Sequence, residues 1–344
     1  MADPTTWPLW SLIATFLAAT GLIFGAGRRL AEFADRLADR TGLGEAAMGA
    51  IFLGVSTSLS GITASVTAAL DGFPALAVSN ALGGIAVQTA FLAIADLAYR
   101  KANLEHAAAS LTNMLSTTLL IVLLAFVMTL TISPPLAVAH VHVGTPLLFV
   151  VYGFGLYLIL HSVQRPMWRP RMTDETIADR PRPAAERTSV GRLWLRFAAF
   201  ALLVLIGGMA VARSGGALAA RTGISQTVMG GLFVAIATSL PELVTTVAAV
   251  RRGALTLAVS DIVGGNAFDV LFICVADVAY LRGPIYAQAG REGTFLGGLA
   301  ILVNAILLLG LLQRQKRGIA NIGFESVAIL VVYAAGFLAI SLGL

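Results

Sequence analysis

Ten apolar stretches, each long enough for a membrane span, recur along this 344-residue chain, and they limit its fold more than any other feature. A helix of about 20 apolar residues crosses the roughly 30 Å hydrocarbon core of a bilayer. Only 12% of the residues are charged, which is too few for a surface that faces water. The pattern predicts an all-α polytopic membrane protein with about ten transmembrane helices, near residues 8–27, 46–70, 74–99, 108–132, 144–163, 194–213, 225–250, 254–281, 293–313 and 321–343.

The basic residues predict the orientation of these spans, because Lys and Arg near span ends concentrate on the cytoplasmic side. With ten spans, the connecting loops fall into two alternating sets, and most of the Lys and Arg residues lie in one of them. That set includes residues 164–193, which we predict to be a cytoplasmic linker, with both termini outside a bacterial-type inner membrane. The basic residues are spread between spans, so we expect the bilayer and not nucleic acid as the partner. The other set holds only Arg213, Arg221, Arg282 and Arg291.

An internal repeat relates the two halves of the chain. Residues 41–99 align without a gap on residues 222–280, at a constant offset of 181 positions (222 − 41 and 280 − 99). Each half holds five spans, an odd number, so the second repeat enters the membrane from the opposite side. We therefore predict two inverted five-helix repeats, residues 1–163 and 194–344, with a substrate site at their interface. Identical pairs include Met48/Met229, Phe52/Phe233, Thr57/Thr238, Ser58/Ser239, Gly72/Gly253, Gly83/Gly264, Gly84/Gly265 and Asp96/Asp277.

Two carboxylates lie inside apolar spans of the second repeat. Glu242 ends the segment Thr-Ser-Leu-Pro-Glu, and Asp269 ends the segment Asp-Ile-Val-Gly-Gly-Asn-Ala-Phe-Asp. A carboxylate near the bilayer centre costs at least about 2.5 to 3.5 kcal/mol, so each needs an ion, a proton or a hydrogen-bonding cavity. Pro241 removes a helix donor, which predicts free carbonyl oxygens beside Glu242. Gly264 and Gly265 predict a close helix approach that brings Asp269 to the same cavity.

These two segments together resemble the α-repeat of the calcium/cation antiporter superfamily, to which the sodium/calcium exchangers belong. The resemblance covers both repeats, about a third of the chain, and the ten-span plan extends it over most of the rest. It implies a secondary cation antiporter in which Glu242 and Asp269 bind the ion. The predicted site residues are Glu242, Asp269, Thr238, Ser239, Thr57, Ser58, Gln88, Asp261 and Asn80.

The first repeat departs from this pattern at three positions. Gly61 stands where the second repeat has Glu242, and Gln88 stands where it has Asp269. Ile85 takes the position of Asn266. One of the two central glutamates of the superfamily pattern is therefore absent.

Three functional readings follow from these residues. Ca²⁺ takes six to eight oxygen ligands, which the carboxylates with neighbouring hydroxyl, amide and carbonyl oxygens would supply, so Na⁺/Ca²⁺ exchange leads. Proton-coupled exchange is the alternative, with Glu242 carrying the counter-proton. A membrane protein that keeps the fold without transport is the third, suggested by Gly61. The spans show no arrangement typical of an enzyme, so we expect no catalysis and no cofactor besides the transported ions.

Three further residues have structural interpretations. Asp96 and Asp277 fall at span ends near Tyr99 and Tyr280, which predicts interfacial anchoring. The only cysteine, Cys274, lies within a span, and we expect it to be buried.

Overall fold

The computed structural model describes residues 6–41, 54–99, 103–164, 166–168, 170–171, 189–251, 253–316, 318 and 322–343. In this part of the chain, helices are joined by short turns, and one small β-ladder pairs β1 (Ala137–Val138) with β2 (Val141–His142). Met48, Phe52, the start of the second predicted span and most of the predicted linker lie outside the described residues. The helices are α1 (Leu9–Thr41), α2 (Leu59–Leu70), α3 (Pro74–Ala98), α4 (Leu104–Ala108), α5 (Leu111–Ile132), α6 (Gly144–Gln164), α7 (Val190–Thr222), α8 (Gln226–Val228), a π-helical turn (Met229–Val234), α9 (Ala235–Thr238), α10 (Leu240–Arg251), α11 (Leu255–Asp269), α12 (Leu271–Ala279), a 3₁₀ turn (Ile285–Gln288), α13 (Gly290–Gln313) and α14 (Phe324–Ser341).

The helices of the first half recur in the second half at the same offset of 181 residues. Both ends of α1 match those of α7, both ends of α2 match those of α10, and α3 matches α11 and α12 together. The turns agree as well, since Gly72 and Gly253 both adopt a positive φ, 83° and 80°. We call two residues separated by this offset counterparts. The repeat therefore extends well beyond residues 41–99, where the sequence alone reveals it.

Helices long and apolar enough to span a membrane account for most of the described chain. Eight helices of the described residues are long and apolar enough to cross a bilayer, and the bent pair formed by residues 226–238 and 240–251 adds a ninth. The remaining predicted span, 46–70, corresponds to helical residues 54–57 followed by α2, which match that bent pair in the other repeat. The chain is thus an all-α, multi-pass inner-membrane protein with two inverted five-helix repeats.

The first and sixth spans are longer than predicted. The apolar run of the first span ends before Arg28, but α1 continues to Thr41. Its extension packs against the start of α7, where Phe33 stacks on Phe200 with ring centroids 5.6 Å apart and Leu37 clusters with Leu193. One apolar face is enough to keep a helix packed after its other faces become polar. Hydropathy alone therefore placed the end of this helix too early in the sequence.

Both repeats break a helix at the same point. In the second repeat the break is at Ser239, where the two segments are bent by 48°, just before Pro241. In the first repeat the turn is at Ser58, although Ser60 replaces the proline. The Ser60 hydroxyl donates to the Thr238 carbonyl at 2.8 Å. The first repeat thus supplies a donor to one carbonyl oxygen at the break of the second repeat.

The tightest glycine contact between the described helices involves Gly83. The predicted contact at Gly265 is present but looser, since a Cβ atom on Gly54 would lie 3.5 Å from the Gly265 Cα atom. A Cβ atom on Gly83 would overlap the backbone of Gly231, and one on Gly230 would lie 2.5 Å from the Leu76 carbonyl oxygen. By contrast, a Cβ atom on Gly264 or Gly265 meets no described atom within 4 Å. The first-repeat glycine therefore provides the close contact, because α3 crosses the π-helical turn of the second repeat there.

Candidate cation site between the repeats

A small polar cavity lies where the broken helices of the two repeats meet α3 and α11. Its volume is about 10 Å³ when measured by the centre of a water-sized sphere. That is room for about one water molecule or one bare cation. The lining residues are Ser58, Gly61, Asn80, Gly84, Gln88, Thr238, Ser239, Glu242, Asp269 and Phe272.

Asp269 joins the two repeats across this cavity. Its Oδ1 accepts a hydrogen bond from the Ser58 hydroxyl at 2.6 Å, and its Oδ2 accepts one from Nε2 of Gln88 at 2.9 Å. Nε2 of Gln88 also donates to the Ser239 hydroxyl at 3.1 Å. Gln88 is the counterpart of Asp269, and Ser58 is the counterpart of Ser239. Equivalent positions of the inverted repeats therefore face each other, with the cavity between them.

Glu242 lies in the same cavity with an unsatisfied oxygen. The side chain is 4% exposed, the Thr57 hydroxyl lies beside its carboxyl group, and Oε2 has no hydrogen-bond partner. Oε1 of Gln88 is also buried without a partner. A buried acceptor with no donor costs about 1 to 3 kcal/mol. A cation or a proton between these two acceptors would remove that cost.

Asn80 and Thr238 complete the polar lining. The Thr238 hydroxyl donates to Oδ1 of Asn80 at 3.3 Å. Nδ2 of Asn80 donates to the Gly61 carbonyl at 3.0 Å and to the Ser65 hydroxyl at 2.9 Å. These bonds fix the amide oxygen of Asn80 toward the second repeat, on the side of Thr238.

Two of the predicted site residues do not line the cavity. The Thr57 hydroxyl donates to the Gly54 carbonyl at 3.0 Å. Thr57 also lies beside the Glu242 carboxyl group, but it is not part of the cavity wall. Asp261 is buried, and its Oδ2 accepts from the Thr245 hydroxyl at 3.2 Å. Its counterpart Asn80 does reach the cavity. The structure therefore brings together Glu242, Asp269, Thr238, Ser239, Ser58, Gln88 and Asn80.

Three lining residues were not predicted: Gly61, Gly84 and Phe272. A Cβ atom on Gly61 would lie 2.6 Å from the Phe272 ring. The ring thus occupies the space beside the position where a second central glutamate would stand. Phe272 follows Asp269 by three residues, a spacing that places two side chains on the same face of a helix, and this spacing was the only sequence signal for it.

The chemistry of the lining suits a hard cation. None of the described parts of the chain holds a cluster of three or more His, Cys, Asp or Glu residues suited to a metal ion. The cavity instead combines two carboxylates with hydroxyl and amide oxygens, the ligand types that hard cations such as Ca²⁺ prefer.

Inverted five-helix repeats that enclose a buried, oxygen-lined cavity define a secondary transporter. The family model for sodium/calcium exchanger proteins matches residues 11–162 and 192–342, which together make up most of the chain. This chain therefore belongs to the sodium/calcium exchanger family, and the resemblance of its motifs to the calcium/cation antiporters is confirmed. Members of that family transport inorganic cations.

Relatives and solved structures agree with this assignment. The putative antiporter CaxA of Alkalimonas amylolytica is 27% identical over 314 residues, 89% of this chain and 93% of that protein. The crystal structure of the H⁺/Ca²⁺ exchanger CAX has a TM-score of 0.67 at 14% identity, covering 95% of this chain and 82% of that one. The sodium-calcium exchanger NCX_Mj has a TM-score of 0.61 at 17% identity, covering 97% and 99%. At these identities the two structures establish the shared fold.

Proposed function

We propose that this protein exchanges Ca²⁺ for Na⁺ by alternating access, with the cation bound between Glu242 and Asp269. One observation carries the proposal: two buried acceptor oxygens, Oε2 of Glu242 and Oε1 of Gln88, lack partners and belong to residues that line the same cavity. That cavity has room for about one ion. A cation there would be bound by oxygens from both repeats.

The ligand count is adequate for Ca²⁺. The two carboxylates offer four oxygens, and the Gln88 amide with the hydroxyls of Ser58 and Ser239 adds three more. Calcium takes six to eight oxygens. The repeats, proposed to be residues 1–163 and 194–344 with residues 164–193 as linker, would move against each other to expose the ion to either side.

Proton coupling is the second candidate, and the same oxygen favours it. A proton on Oε2 of Glu242 would turn an unsatisfied acceptor into a donor, so the site has a way to empty of metal without leaving a bare buried charge. The fold neighbour CAX is itself named an H⁺/Ca²⁺ exchanger. The two candidates share one site and differ only in the ion that returns.

Flux in proteoliposomes separates these candidates. Ca²⁺ uptake is measured with Na⁺ and pH gradients imposed one at a time, for the wild type, Glu242→Gln and Asp269→Asn. We expect uptake driven by the Na⁺ gradient, and its loss in both variants, because each removes a charge that the first repeat does not duplicate. Glu292→Gln is the matched control, since Glu292 accepts from Ser225 at 2.8 Å and does not line the cavity.

Each other outcome has a defined meaning. Uptake that follows only the pH gradient would show that H⁺ is the coupling ion and not Na⁺, and the proposed site would stand. Uptake that survives in either cavity variant contradicts the site. No uptake under any gradient, from protein that remains folded, supports the non-transporting alternative.

A further inference from the structure

A second group of buried carboxyls lies at the ends of α3 and α14, and comparison between the repeats shows what is unusual about it. In the second repeat, Oδ1 of Asp277 accepts from the backbone N–H of Ile285 at 2.8 Å. Its Oδ2 accepts from the N–H of His142 at 2.8 Å and from the Thr145 hydroxyl at 2.6 Å. This fully buried aspartate is therefore satisfied by three donors, and it ties three chain segments together.

Asp96 makes the same three bonds in the first repeat. Oδ1 accepts from the N–H of Leu104 at 2.7 Å, and Oδ2 accepts from the N–H of Gly323 at 3.2 Å and from the Ser326 hydroxyl at 3.0 Å. Each donor is the counterpart of the one that serves Asp277. Both aspartates are 0% exposed, so they are buried junctions and not the interfacial anchors that the sequence predicted.

The two junctions differ at two positions next to the aspartate. The second repeat has Tyr286 and Gly144 at these positions. The Tyr286 hydroxyl lies 3.0 Å from the Thr145 hydroxyl and 3.8 Å from the sulfur of Cys274. The first repeat has carboxyls at both positions, Glu105 and Glu325. Glu105 is 1% exposed and Glu325 is 0% exposed. One junction thus buries one carboxyl group and the other buries three.

The first junction has too few donors for its acceptors. Oε2 of Glu105 and both carboxyl oxygens of Glu325 have no hydrogen-bond partner. The Ser326 hydroxyl lies 3.5 Å from Oε1 of Glu105, but its single proton is directed to Asp96 at 3.0 Å. Burial and the neighbouring carboxyls of Asp96 and Glu325 raise the pKa of Glu105 well above its usual value.

The charged groups around this junction do not replace the missing donors. Arg314 directs Nη2 to the His106 carbonyl at 3.3 Å and Nη1 to the Arg171 carbonyl, and the His106 ring contacts the Arg314 carbonyl at 2.7 Å. On the described parts of the packed elements, the titratable and charged side chains are Asp96 on α3, Glu105 and His106 on α4, Asp261 and Asp269 on α11, Arg291 and Glu292 at the start of α13, Arg314 and Lys316 after α13, and Glu325 and Tyr333 on α14.

We propose that Glu105 and Glu325 form a proton-binding site, separate from the cation cavity, in which one proton taken from solvent is held between the two carboxyl groups. The proton supplies the missing donor and removes one buried negative charge. Its release would leave three carboxylates at the contact between α3, α4 and the start of α14. This site does not depend on the proposed exchange function, since none of its members lines the cavity.

Infrared spectroscopy of the purified full-length protein tests the site directly. At about pH 8, where ordinary carboxyl groups are ionised, the wild type should show a carboxylic-acid carbonyl band that shifts in D₂O. In wild-type-minus-variant difference spectra, where any contribution from a protonated Glu242 cancels, we expect Glu105→Gln and Glu325→Gln each to lose one carboxylic-acid component, because the new amide supplies the donor and lets the remaining carboxyl ionise. Glu292→Gln, a glutamate bonded to Ser225, should keep it. A band that is unchanged in both cluster variants would overturn the proposal.

A second measurement covers the case in which the glutamine variants do not fold. The double variant Glu105→Tyr/Glu325→Gly gives the first junction the residues of the second. Because the pKa of Glu105 is raised in the folded state, its stabilising effect is complete below about pH 4.3 and is lost as the pH rises through the raised value. The unfolding midpoint of the wild type should therefore fall with rising pH more than that of the double variant. Equal slopes would contradict the proton site.

Discussion

At the scale of single residues, the absence of a glutamate at position 61 determines the shape of the cation cavity. Its counterpart Glu242 carries one of the two carboxylates, while the Phe272 ring covers the space beside Gly61. The cavity is therefore acidic on one side and apolar on the other.

We predict that Gly61→Glu is not tolerated alone. The new side chain would overlap the Phe272 ring, and overpacking of this kind costs about 1 to 3 kcal/mol. The double variant Gly61→Glu/Phe272→Ala provides room and should recover the unfolding midpoint of the single variant Phe272→Ala. The measurement is thermal unfolding of all three proteins in detergent. If Gly61→Glu alone unfolds at the wild-type temperature, Phe272 does not fill this position.

The site residues that the sequence predicted are polar groups that are costly inside a membrane. Glu242 and Asp269 were identifiable because a span offers them no solvent. Phe272 was not identifiable, since an apolar residue in an apolar span does not differ in polarity from its neighbours. Asp261 was predicted as a carboxylate within a span that lines the access path or binds an ion, but Thr245 gives Asp261 a hydroxyl partner, whereas the counterpart of Thr245 is Ala64. Asn80 instead bonds to Ser65 and to Thr238 of the other repeat, and it lines the cavity.

At the scale of helices, the contact between α3 and the π-helical turn depends on Gly83. We predict that Gly83→Ala destabilises the protein by about 1 to 3 kcal/mol, because the added methyl overlaps the Gly231 backbone. The matched control is the counterpart variant Gly264→Ala. Its methyl meets no described atom within 4 Å, and alanine is the better helix former, so stability should be unchanged or slightly higher. Equal effects on the unfolding midpoint would refute the inequivalence of the two glycines.

Helix positions were more predictable than helix ends and breaks. Nine of the predicted spans are found among the described helices, because the length of an apolar stretch is a strong signal. The remaining span, 46–70, is described in part as α2. The end of α1 was missed because its continuation is held by contacts with α7, which hydropathy does not contain. No proline follows Ser58 that would have predicted the helix break there. It follows from the symmetry with Ser239, whose position the structure supplies.

At the scale of the whole molecule, loops predicted on one side of the membrane contact each other. Asn103 donates to the Lys316 carbonyl at 3.2 Å in one group, and Arg213 pairs with Asp71 at 3.1 Å in the other. We predict that the first group and the linker are cytoplasmic. The test places a cysteine at Thr173, outside the described residues, after Cys274 has been replaced. If an impermeant reagent labels this cysteine from the periplasmic side, the linker is periplasmic and the predicted topology is wrong.

We also predict that exchange is electroneutral. Glu242 and Asp269 give the cavity a charge near −2, which one Ca²⁺, two Na⁺ or a proton on each carboxyl group neutralise. The cavity as described has room for about one ion, so two Na⁺ bind only when the moving repeats open it further. A third monovalent ion would leave unpaired positive charge in a poorly solvated site, which is unfavourable. An imposed potassium-valinomycin potential should then leave the initial rate of Ca²⁺ uptake in proteoliposomes unchanged. A marked acceleration or slowing by the potential would show that charge moves in each cycle.

Equilibrium binding of radioactive Ca²⁺ to the purified full-length protein tests the central claim most directly. The geometry predicts one Ca²⁺ per chain in the wild type, displaced by Na⁺ or by protons, because the cavity holds one ion between Glu242 and Asp269. Binding should be lost in Glu242→Gln and in Asp269→Asn and kept in Glu292→Gln. One bound Ca²⁺ per chain that persists in both cavity variants would contradict the account.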